Sequence, residues 1–217
     1  MNKWKKSVRS LCLGMALMMS VSWTAFAATD GATGPGQAAG GTVSGAVPSG
    51  ATVTLQNAAQ PTVAAQGAVL YDATHNQFLF SKNADTQYYP ASITKLMTAL
   101  LVAENCNLDD TVTFSATATT NLESGAVSIG MAEGDTMTVR QCLYALLLKS
   151  ANEVGNALAE HVAGSNAAFA EKMNAKAASL GCTNTHFANP HGLNDPNHYT
   201  TPHDMALIAR AALQMIL

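Results

Sequence analysis

The sequence predicts a domain of the α/β (α+β) class, and three observations carry that expectation. The stretch AVLYDATHNQFLFSKN, residues 68–83, alternates apolar and polar positions on either side of Thr74-His75-Asn76, the pattern of a β-hairpin. Beyond it, apolar residues recur mainly at helical spacing as far as the last residue. A chain of 217 residues suits one domain with a substantial core rather than two.

The first residues read as an address rather than as fold. Lys3, Lys5, Lys6 and Arg9 precede the apolar run LCLGMALMMSV, and Ala25-Phe26-Ala27 offers small residues at cleavage spacing, so residues 1–27 are expected to be a secretory signal peptide. An uncleaved anchor would need about 20 apolar residues, and the run here offers only about 15. Without the leader, seven basic residues face 14 acidic ones, a net charge of −7. That balance argues against nucleic acid as a partner and against a polybasic grip on anionic lipid. Cys106, Cys142 and Cys182 remain, so at most one internal disulfide can form, and their spacing matches no metal pattern.

Residues 28–60 are expected to be a flexible Gly/Ala/Ser/Thr tether, because GATGPGQAAGGTVSGAVPSGATV has too little apolar bulk to bury. The foldable domain then spans residues 61–217. After the hairpin, PASITKLMTALL (residues 90–101) places Ile93, Leu96, Met97, Leu100 and Leu101 on what reads as one buried helix face, ending near Glu104. Residues 107–136 are mixed and Gly-punctuated and support no assignment.

Three helical patterns follow. TVRQCLYALLLKS carries Val139, Leu143, Leu146 and Leu147 on one side, and ANEVGNALAEHVAG carries Val154, Leu158 and Val162 before Gly164. SNAAFAEKMNAKAASLG opens on a Ser165 cap and stops at Gly181. A last helix opens on Thr201-Pro202-His203-Asp204 and still runs at Leu217, so the sequence is expected to stop inside an element.

Ser92 and Lys95 stand one turn apart at the start of the first helix, where residues i and i+3 are neighbours. The first N–H groups of a helix have no internal partner and can help hold a negative oxygen. One turn can therefore supply a nucleophile, a base and part of an oxyanion hole. The base must first be made neutral, since an ordinary lysine is neutral in only about one molecule in 2,500 at pH 7. Desolvation or a second cation would lower its pKa. Alone, Ser-x-x-Lys is a weak signal, because Ser92 could simply cap the helix. A second group strengthens it: Ser150-Ala151-Asn152 sits at the break between two apolar helices, where Ser150 could relay a proton and Asn152 could fix the lysine or a substrate carbonyl.

Ser-x-x-Lys with Ser-x-Asn and a later Lys-Thr-Gly is the signature of penicillin-binding proteins and class A β-lactamases. TVRQCLYALLLKSANEVGNALAE, FAEKMNAKAASLGCTNTHFANPHGLND and NHYTTPHDMALIAR extend the likeness. From about residue 63 to 217 the chain resembles the serine D-Ala-D-Ala carboxypeptidases, the low-molecular-mass penicillin-binding proteins. The resemblance implies an antiparallel sheet flanked by helices with a helical region, the later strands missing from this chain. It implies that Ser92 attacks the bond between terminal D-alanines of a peptidoglycan pentapeptide stem, with Lys95 as base, Ser150 as proton relay and Asn152 binding the acyl chain. β-Lactams would inhibit by acylating Ser92. No cofactor is implied, and the protein would be exported and act on the cell-wall side of the membrane. Members often attach through a C-terminal helix, which leaves room for peripheral membrane association of a full-length protein.

Two rivals follow from the same residues. A class A β-lactamase needs a deacylating glutamate well after Ser-x-Asn, and the last glutamate here is Glu171. Lys-Thr-Gly is absent, since no lysine follows Lys176, so the chain is expected to be an incomplete and weakly active enzyme. The competing account is a naturally short, secreted relative that binds peptidoglycan without chemistry. His186, His191, His198 and His203 crowd one region but lack the spacing and acidic partner of a zinc site, so no metal is expected. The resemblance places Asn189–Leu193 and His198-Tyr199 in a structured loop instead.

Overall fold

The computed structural model describes residues 61–216 apart from Asn121; the expected signal peptide and the whole of the expected tether lie outside the described residues. Strands β1 (Ala68–Asp72) and β2 (Gln77–Lys82) pair antiparallel, with a register shift between Leu70 and Tyr71. The turn forms where Thr74-His75-Asn76 predicts it. Asp72 Oδ1 accepts from the backbone N–H groups of Thr74 (2.9 Å) and His75 (3.1 Å), and Asn76 takes the left-handed φ of 55° that asparagine tolerates.

The predicted first helix begins differently from expectation. Ala91–Thr94 form a 3₁₀ turn, and only then does α1 (Lys95–Asn105) run as an α-helix. Tighter winding takes Ile93 out of phase with the α-helical stripe, so Ile93 is not on the buried face; it is 52% exposed. Met97, Leu100, Leu101 and Val102 do point inward.

The unassigned stretch resolves into β3 (Thr111–Thr113), the short α2 (Ala116–Thr119) and β4 (Thr136–Thr138), with β3 and β4 antiparallel. Then come α3 (Val139–Leu148), α4 (Asn152–Ala163), α5 (Asn166–Ser179) and α6 (Pro202–Ile216). The helix signals are physically satisfied. Thr138 and Gln141 form a reciprocal capping box, Ser165 accepts from Ala168 N, and Thr201 Oγ1 accepts from Asp204 N. Gly164 and Gly181 follow α4 and α5 with φ near 80° and 85°.

Helix α1 is the axis of the domain, packed by α3, α4, α5 and α6, while α6 also covers β1. Phe114, Val139, Leu146, Val154, Leu158, Phe169, Met173, Phe187 and Ile208 join its inner face in one apolar cluster. Leu147, expected on the buried side of α3, is half-buried, and Leu148 beside it is exposed as the chain turns toward Ser150. Cys142 and Cys182 are buried, Cys106 is half-buried, and all three are free thiols. Among the described residues no helix is long and apolar enough to cross a membrane.

Candidate active site

The mouth of α1, the corner between α3 and α4, and the loop before α6 meet at one lysine. Lys95 is only 2% exposed, and its Nζ donates to Ser92 Oγ (3.1 Å), Asn152 Oδ1 (2.8 Å) and the His191 carbonyl (2.7 Å). Ser150 Oγ donates to Ser92 Oγ at 2.9 Å. All four residues singled out from the sequence are therefore brought together.

Local backbone explains how. In a 3₁₀ turn the side chains at i and i+3 eclipse each other, which stacks Lys95 directly on Ser92. Ala91 and Ser150 both adopt left-handed φ angles, 48° and 58°, which non-glycine residues keep only where surrounding structure enforces them. Gly192, at φ 87°, lies so close that a Cβ there would sit 1.8 Å from the Ala91 carbonyl oxygen. Its missing side chain lets the 189–193 loop reach Lys95 with a carbonyl.

Burial lowers the Lys95 pKa to about 8, which leaves about one molecule in ten neutral at pH 7. The neutral amine has two N–H groups and one lone pair. Both carbonyl oxygens, of Asn152 and His191, can only accept, so they claim the two N–H groups. The lone pair is left facing Ser92 Oγ. The arrangement can thus take the serine proton without any side chain moving. Ser92 itself is exposed, and among the described residues no backbone carbonyl outside the helix accepts from its N–H.

Several participants carry no side-chain signature in the sequence. The Val127 carbonyl accepts from both Asn152 N (2.9 Å) and Asn152 Nδ2 (2.9 Å), which turns the amide oxygen toward Lys95. Thr98 Oγ1 donates to the Pro190 carbonyl (2.6 Å), tying α1 to the loop. The four crowded histidines do structural work. His198 Nδ1 accepts from Ala188 N (3.1 Å), so Nε2 carries the proton and donates to Thr94 Oγ1 (2.7 Å). His191 Nδ1 accepts from Leu193 N, His186 Nδ1 bonds the Asn197 carbonyl, and His203 stacks on Phe78. No cluster of three His, Cys, Asp or Glu side chains suited to a metal occurs among the described residues.

Burial pushes both His191 and His198 down to about 4 from an ordinary 6.5. Below pH 6.5 the unfolded chain binds protons that the folded one refuses, so stability falls as pH drops until about 4, where both states are protonated. The fully buried His198 alone accounts for about 3 kcal/mol across that window. Urea unfolding midpoints are expected to fall clearly between pH 7 and about pH 4.5, and by less in His198→Asn. Equal midpoints at the two pH values would contradict the neutral assignment.

A profile of the family described as D-alanyl-D-alanine carboxypeptidase matches residues 54–217. The chain belongs to the D-alanyl-D-alanine carboxypeptidase family. Among its relatives, the carboxypeptidase DacF of Bacillus subtilis is 37% identical over 155 residues, which cover 69% of this chain and 39% of that protein. DacC of Escherichia coli is 31% identical over 222 residues, covering 98% of this chain and 49% of DacC. Among solved structures, DacD from Francisella tularensis superposes with a TM-score of 0.67 at 35% identity, covering 70% of this chain and 38% of that one. Penicillin binding protein 6B from Escherichia coli gives 0.69 at 34% identity over 72% of this chain and 52% of its own. The α+β fold expected from the hairpin and helices is thus a carboxypeptidase-family fold. The chain spans about half the length or less of these relatives.

Proposed function

We propose that the chain carries the acylation machinery of a serine D-alanyl-D-alanine carboxypeptidase acting on peptidoglycan stems. The observation that carries this reading is the contact of Lys95 Nζ with Ser92 Oγ and with two carbonyl oxygens that can only accept, which leaves the lone pair of the neutral amine for the Ser92 proton. Neutral Lys95 takes the Ser92 proton as Oγ bonds to the carbonyl carbon between the two D-alanines. The developing oxyanion lies by the Ser92 N–H. The peptide C–N bond then breaks, and the proton passes from Lys95 by way of Ser150 to the departing D-alanine nitrogen. Water hydrolyses the ester and restores Ser92. Asn152 binds the acyl chain through the second N–H of Nδ2, keeping its bonds to Lys95 and Val127. The strained amide of a β-lactam would be attacked by the same route.

Residues 1–60 add export through a cleaved leader and a tether, with action on the wall side of the membrane, while family resemblance alone suggests peripheral attachment in a longer protein. No lysine beyond Lys176 is available in these 217 residues to bind the substrate carboxylate or add a second cation beside Lys95. Purified chain is therefore expected to release little D-alanine. Intact mass spectrometry at high penicillin concentration is expected to show one slow adduct, on Ser92, missing from Ser92→Ala. Peptidoglycan binding that survives Ser92→Ala, with no adduct in either form, would replace the enzymatic reading by a wall-binding one. An adduct that hydrolyses rapidly would point to a β-lactamase.

A further inference from the structure

Glu153 begins α4 beside Asn152, is 1% exposed, and takes no part in the chemistry above. Its Oε1 accepts three bonds from one short segment: Ser128 Oγ (2.7 Å), Ile129 N (2.6 Å) and Gly130 N (3.2 Å). Its Oε2 is buried with no partner among the described residues. The segment has little else to keep it down, since Val127 and Ile129 are 50% and 39% exposed. Immediately before it stands the Val127 carbonyl, which accepts from Asn152 Nδ2 and so turns Asn152 Oδ1 onto Lys95.

We propose that Glu153 is a positioning residue for acyl transfer: its Oε1 pins Ser128–Gly130, the pin presents the Val127 carbonyl to Asn152, and the Asn152 amide thereby keeps its oxygen on Lys95. Released from that carbonyl, the amide could rotate and offer its NH₂ to Lys95, setting donor against donor and spoiling the aim of the lone pair at Ser92. The inference rests on the acyl-transfer reading for its effect on rate, but the pin itself is a matter of structure.

Two substitutions separate a pin from a charge effect. Glu153→Gln keeps chain length and an acceptor oxygen but loses the charge, whereas Glu153→Asp keeps the charge but falls short of the segment. Penicillin acylation of Ser92, followed by intact mass well below both melting temperatures, is expected to slow about tenfold or more in Glu153→Asp and no more than about threefold in Glu153→Gln. Amide hydrogen exchange at Ile129 and Gly130 is expected to quicken in Glu153→Asp alone, while exchange at Phe169 and Met173 in α5 stays unchanged. The reverse order of rates, or unaltered exchange at Ile129 and Gly130 in both variants, would overturn the proposal. If wild-type protein acquires no adduct, the acyl-transfer reading fails, and exchange alone still decides whether Glu153 pins the segment.

Discussion

Lys95→Ala is expected to slow acylation of Ser92 by about a thousandfold, the middle to upper range for loss of a positioned general base. The expected pH profile is as informative as the size of the loss. Only neutral Lys95 can accept the serine proton, and its pKa is about 8. In wild-type protein the rate should climb with pH and level off above about 8, following the neutral fraction. Lys95→Ala should lose that climb. Lys95→Arg should be no better than alanine, because guanidinium stays charged throughout. Adduct formation followed by intact mass across this pH range decides the matter; a Lys95→Ala rate within tenfold of wild type, or one that keeps the midpoint, would remove Lys95 from the role of base.

Gly192→Ala is expected to be the most damaging single methyl group in the domain. The added Cβ would lie 1.8 Å from the Ala91 carbonyl oxygen and 2.4 Å from its carbon, both backbone atoms that cannot swing aside. The alanine would also have to hold a φ of 87°. Together these are expected to cost about 3 kcal/mol or more. For a domain of this size that lowers Tm by about 6–12 °C. Relief of the clash must move either the Ala91-Ser92 turn or the loop that offers the His191 carbonyl, so acylation should fall even in protein that is still folded. An unchanged Tm would mean that the close approach of the two backbones is not required.

The parts of this site that sequence reasoning could find are those written in side chains at short spacing. Ser92 and Lys95 lie three residues apart, and Ser150 and Asn152 occupy a corner announced by two flanking helical patterns. The parts it could not find are backbone groups. The His191 and Val127 carbonyls belong to residues whose identities do not reveal their roles, although the glycine beside His191 is one trace of the close packing there. The 3₁₀ start of α1 was equally hidden, because Pro90-Ala91-Ser92-Ile93 is compatible with either helix and tertiary contacts choose between them. Residues 107–136 gave no periodicity because their strands, Thr111–Thr113 and Thr136–Thr138, are three residues each. Nothing in the sequence singles out Glu153, since an acid in a helix's first turn is common on an exposed surface; only its burial sets it apart.

The partners that converge on the Lys95 amine lie far from it along the chain: Asn152 is 57 residues away and the His191 carbonyl 96. Thr94 and His198 close a span of 104 residues. Contacts across such spans pay their closure entropy before they return any stability, so they consolidate late in refolding. Until that moment the amine stays hydrated and protonated and the hydroxyl beside it is inert. Covalent capture of penicillin would then serve as a stopwatch for the closing event of self-assembly, with reactivity emerging after helix content has already recovered.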